Sequence, residues 1–99
     1  MRRGTTPTHT FHLPFDADMD SKVRIIYAQN DEPVFTKETA DCTMKDMSIT
    51  TKLMQEETLM LDQRKNVQIQ LRVITTTGDA MASNVITKGV LELLEDEVL

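Results

Sequence analysis

The side chains of this 99-residue chain with the widest chemical repertoire are His9, His12, Cys42 and two runs of carboxylates. On a helix, His9 and His12 would sit on one face and could share a metal ion. Thr8-His9-Thr10-Phe11-His12-Leu13 reads instead as a strand, which turns the two imidazoles to opposite faces. Cys42 would need a lowered pKa and a neighbouring base to act as a nucleophile. The adjacent Asp41 works the other way, and a small buried hydrophobe is the commoner role for such a cysteine. Glu56-Glu57 and Glu95-Asp96-Glu97 could divide acid and base duties, but solvated surface accounts for most such runs. The chain contains no CxxC, HExxH, GxGxxG or GxxxxGK[ST] pattern and no N-x-[ST] acceptor. The expectation is a protein that is not an enzyme, with no cofactor, no metal and no catalytic residue.

The elements that position these groups read as strands. Val67-Gln68-Ile69-Gln70-Leu71-Arg72-Val73-Ile74 alternates apolar and polar side chains almost without a break, the pleat of a strand with one dry and one wet face. Lys22 to Gln29 places Val23, Ile25 and Tyr27 on one face, while Ile26 and Ala28 give the other some apolar character. A turn over residues 30–33 should return the chain into Val34 to Lys37 as a hairpin. Residues 42–44 and 47–53 follow as further strands, the second with Met47, Ile49, Thr51 and Leu53 on one face. Residues 55–61 suit a short helical turn better than a strand. Gly78-Asp79 should join the Gln-rich strand to a second long strand over residues 80–88. Residues 90–99 fit either a helical turn or a short edge strand with a frayed end. The expected fold is all-β, an immunoglobulin-like antiparallel β-sandwich of about seven strands with a short helical turn near residues 55–60.

Composition bounds the rest. The length suits a single domain, divided into an exposed arm over residues 1–7, a sandwich over 8–90 and an acidic tail over 91–99. Net charge is −5, and Glu92, Glu95, Asp96 and Glu97 hold four of the five excess charges. The basic residues are scattered along the body, so nucleic-acid binding is not expected. No apolar run is long enough to cross a bilayer, and Met1-Arg2-Arg3 is not followed by an apolar signal core, so a cytosolic protein is expected. Seven methionines suggest filling of irregular core gaps more than an adaptable contact surface. Sheet edges remain the natural means of association.

Four stretches together carry a likeness: Met1 to Thr8, Leu53 to Leu59, Val67 to Val73, and Ala82-Ser83-Asn84. With these the chain resembles a family of short structural proteins of tailed phages and prophages of Gram-positive bacteria. It also looks like the immunoglobulin-like N-terminal domain of phage baseplate upper proteins. The resemblance implies a tail- or baseplate-associated β-sandwich acting through other virion or tail proteins, or through self-association. It would be made in the bacterial host cytoplasm and carried in the virion if incorporated. The candidate partner contacts are Arg2 and Arg3 of the arm and Glu92, Glu95, Asp96 and Glu97 of the tail. A small-ligand or carbohydrate-binding sandwich is the alternative, weakened by having only three Phe and one Tyr to stack on a sugar ring.

Overall fold

The computed structural model describes residues 1–13, 21–45, 47–83 and 85–89. Among the described residues eight strands and one short helix follow in chain order: β1 (Thr8–His12), β2 (Lys22–Gln29), β3 (Glu32–Glu38), β4 (Cys42–Lys45), β5 (Ser48–Lys52), α1 (Gln55–Leu59), β6 (Val67–Ile74), β7 (Ala80–Ala82) and β8 (Ile86–Lys88). A single 3-10 turn over Thr39–Asp41 carries the chain from β3 to β4. One sheet has the order β1-β5-β4, the other β3-β2-β6-β7, with β8 also on β6. Every pairing is antiparallel.

This is an immunoglobulin-like Greek key. Taking β1 as the second strand of that fold, β1, β5 and β4 occupy the B-E-D positions, and β3, β2, β6 and β7 the C′-C-F-G positions. Among the described residues nothing fills the first position, beside β1, where the four-stranded sheet of an antibody constant domain carries one more strand.

The core follows the alternation. Val23, Ile25 and Tyr27 of β2 face Ile49 and Leu53 from the opposite sheet, and Val67, Ile69, Leu71 and Val73 of β6 join them, all nearly inaccessible to water. Burying an aliphatic side chain of this size stabilises by about 1.5–3 kcal/mol. Tyr27 sits on the strand that carries the core tryptophan of antibody domains. Its ring stacks on Phe35 at 4.6 Å and on His9 at 5.7 Å between centroids.

Four local expectations change. The β2–β3 reversal is confined to Asn30 and Asp31, both left-handed with φ of 52° and 62°, the geometry of a two-residue hairpin turn. Pro33 is therefore inside β3. It is tolerated there because β3 is an edge strand, and because the register slips between Tyr27 and Ala28, where Ala28 pairs with Pro33. Met47 does not share the face of Ile49. It lies with φ of 63° in the reversal that brings Lys45 opposite Ser48, and so leaves the strand before the alternation begins. Core filling holds for Met44, which packs against the core, but Met47, Met54, Met60 and Met81 are exposed.

The fourth change is the break in the long strand expected over residues 80–88. Ala82 pairs with Arg72 and Ile86 with Ile69, so four steps along one chain match three along the other. That is a bulge. Ser83 holds it: its N–H donates to the Leu71 carbonyl at 2.8 Å, its Oγ accepts from the Leu71 N–H at 3.0 Å, and its carbonyl accepts from Gln70 Nε2 at 3.0 Å.

Candidate functional site: an open seam between the sheets

The chain brings its chemistry-bearing groups together at three places. The first is interior. Lys37 points inward beside Phe35, since it pairs with Ile25 as Phe35 does with Tyr27. Its ammonium donates to both carboxylate oxygens of Glu57, at 2.8 and 3.0 Å, with the Lys37 side chain 7% and the Glu57 side chain 20% exposed. Glu57 Oε1 also accepts from the Met54 N–H at 2.8 Å, capping α1. One carboxylate thus fixes the helix and neutralises a buried cation. Glu57 is not the solvated surface residue expected; its neighbour Glu56 is exposed.

Around this pair the reactive groups are held in their neutral forms. Burial lowers the pKa of His9, aided by the nearby Met1 ammonium and Lys88. Burial pushes the Tyr27 phenol up, and its oxygen is hydrogen-bonded to His9 Nδ1 at 2.7 Å. The Cys42 thiol is also raised, again chiefly by burial and in the same sense by Asp41, against a hydrogen bond with Thr51. A thiol raised in this way is a weak nucleophile. His12 lies on the exposed face of β1, away from His9. Among the described residues no three His, Cys, Asp or Glu side chains form a group that could hold a metal ion.

The second place is a groove of about 390 Å³ between β1 and the β7–β8 edge. Phe11 and Leu13 form one wall, Met81, Ala82 and Ile86 the other, and Leu71 and Val73 the floor. Met81 and Ile86 pair with Val73 and Ile69, whose side chains point into the sandwich. Yet both remain 42% exposed. Inward-facing apolar groups stay wet because, among the described residues, the opposite sheet ends at β1. Among the described residues the edge of β1 is also open. Leu13 donates to the Met47 carbonyl and Leu53 to that of Pro7, so the odd-numbered residues bond β5. Thr8, Thr10 and His12 therefore turn their N–H and C=O groups toward the groove side. No charged residue or proline lies within β1 to discourage pairing.

The third place is the pole where β8 ends. Residues 1–7 lie against the body there, where an exposed arm was expected. The Met1 ammonium donates to the Gly89 carbonyl at 2.9 Å, Arg3 Nη2 to the Leu59 carbonyl at 2.9 Å, and Thr58 Oγ1 to the Thr5 carbonyl at 2.9 Å. Arg3 is thus occupied in closing the C-terminal end of α1, while Arg2 is exposed. Beside them Arg3, Met60, Asp62 and Arg64 line a concavity of about 430 Å³. The Arg64 guanidinium holds the Asp62 carboxyl well below the usual carboxylate range, at about 2. The other candidate contacts, Glu92, Glu95, Asp96 and Glu97, lie outside the described residues.

Sequence reasoning missed Lys37, Gln29 and the seam. The buried Gln29 amide donates to the Asp62 and Lys65 carbonyls at 2.8 and 3.1 Å and accepts from the Asp62 N–H at 2.9 Å. The strand alternation put both Lys37 and Gln29 on the inner face, and that was the available signal. No helix among the described residues is long and apolar enough to cross a membrane. The chain matches no protein-family model, no curated protein and no solved structure.

Proposed function

We propose that this chain is a non-catalytic assembly module that joins other proteins by accepting an extended segment along β1. The observation that carries the reading is the seam itself: a strand edge that no other described residue pairs, running beside inward-facing side chains that the described residues leave wet. An incoming strand would bond Thr8, Thr10 and His12 through its backbone and lay alternate side chains over Met81 and Ile86, the mode known as strand addition. The tail- or baseplate-associated role implied by the sequence resemblance is the setting that suits such a module, with other virion proteins as its partners.

The test is to mix the purified chain with tail and baseplate proteins encoded beside its gene and to measure complex formation by light scattering after size exclusion. Binding that is lost in Met81→Arg and Ile86→Arg supports the reading. A chain that binds none of them, or variants that bind as well as the parent, overturns it.

A further inference from the structure

We infer that the outer face of the β2–β6 pair binds a single phosphate group, of the kind carried by a phosphate monoester with an apolar body. The site lies on the opposite side of this sheet from the seam and does not depend on strand addition. Arg24 of β2 stands directly opposite Arg72 of β6, and Lys22 opposite Ile74. All four are exposed and alternate with the buried residues of their strands, so they share the face turned away from the core. Directly opposed residues on one face have Cβ atoms about 5 Å apart. With Glu38, which pairs with Arg24 from β3, and Ala80, which pairs with Ile74 from β7, they border a concavity of about 670 Å³. That is the size of a small-molecule site, about 300–1,000 Å³.

The charges there are unbalanced. Like charges directly opposite each other on a sheet face are destabilising, yet the fold sets two guanidiniums this way, with an ammonium two residues along β2. One acid answers them, since Arg24 Nε donates to Glu38 Oε1 at 2.9 Å. Among the described residues neither Arg72 nor Lys22 meets a carboxylate. Three cations against one carboxylate leave two positive charges unmatched at the rim. A phosphate monoester carries about −1.5 to −2 at pH 7 and matches that excess, where a lone carboxylate would leave half of it. Guanidinium forks bond phosphate oxygens in pairs, and the Glu38 contact on Nε leaves the terminal nitrogens of Arg24 to a ligand. Ile74, 44% exposed beside the pair, offers surface to an apolar group attached to the phosphate. A nucleic-acid backbone would call for cations in a row, but the outward positions farther along β6 are Gln70 and Gln68.

The experiment is calorimetric and thermal-melt titration of the full chain at low ionic strength with phenyl phosphate, with inorganic phosphate and, at matched ionic strength, with sodium chloride. Phenyl phosphate should bind and raise Tm, inorganic phosphate should bind more weakly, and chloride should do neither. Arg72→Gln places at this position the residue that β6 already carries on the same face at Gln68 and Gln70. It should weaken phenyl phosphate by about fivefold or more, yet raise the ligand-free Tm by about 1–4 °C, because the opposed cations are relieved. Arg72→Lys keeps the charge without the fork and should weaken binding without that gain. Lys52→Gln, on the other sheet, should leave affinity unchanged. Equal binding by the parent and Arg72→Gln would overturn the proposal, as would a chloride response as large as that to phenyl phosphate. A ligand-free Tm that falls in Arg72→Gln would overturn it too, by showing that Arg72 serves the fold. So would a parent that binds nothing, including one in which binding emerges only in a D16N/D18N/D20N variant, since the chain's own acids would then serve these cations.

Discussion

Removing the Glu57 carboxylate should cost this small domain a large part of its stability. In Glu57→Ala the Lys37 ammonium keeps its buried position but loses both oxygens, and α1 loses the acceptor for the Met54 N–H. Leaving one partner of a buried pair uncompensated costs about 3–5 kcal/mol, and some water access at Glu57 argues for the lower end. Loss of the cap adds about 1 kcal/mol, for a total of about 4 kcal/mol. Replacing both partners by neutral groups of similar shape should cost far less, because no charge is then stranded. Lys37→Met with Glu57→Gln is expected within about 1.5 kcal/mol of the parent. Urea unfolding of the parent, both single variants and the double, at constant m, measures the coupling directly. If Glu57→Ala falls within about 0.5 kcal/mol of the parent, as an exposed pair would, the account of this interior is wrong.

Three further outcomes follow from the same geometry. Gln29→Ala removes three hydrogen bonds between β2 and residues 62–65 and should lower stability by about 2–3 kcal/mol, again by urea unfolding. His9 binds a proton less readily folded than unfolded, so its contribution is complete above the ordinary value of 6.5 and is lost as pH falls below it toward the lower folded value. Melting temperature should accordingly decline between pH 7 and 5 in the parent and decline less in His9→Phe; equal slopes would refute the assignment. Ile86→Arg should leave the melting temperature within a few degrees of the parent, since this side chain is 42% exposed, while abolishing partner binding. A variant that unfolds would show that the groove wall is part of the core.

Much of the fold was legible because β2, β5 and β6 bury one face each. Their side chains keep strict period, and the helix-forming Gln55-Glu56-Glu57 interrupts it where α1 stands. The exceptions lie where one backbone angle or one partner decides. Met47 has the composition of a strand residue, yet a left-handed turn removes it from the face of Ile49. Lys37 and Glu57 look like solvated charges until the register of β3 and the placement of α1 bring them together across 20 residues of chain. The Ser83 bulge depends on a hydroxyl replacing a backbone acceptor, and nothing in the residues around it signals that. The seam was hidden for another reason: a strand position that no described residue fills is a property of the sheet and belongs to no single residue.

The Asn30-Asp31 hairpin sets more than a change of direction. Because successive side chains of β3 alternate between the two faces, inserting one residue at that corner without re-forming the bulge would invert the whole strand. Thr36 and Glu38 would be driven into the dry interior, Lys37 would swing out to water, and the Glu57 carboxylate would be stranded without its counter-ion. The length of this one corner should therefore tolerate change far less than its residue types, and a glycine in place of either Asn30 or Asp31 should be accepted where an added residue is not.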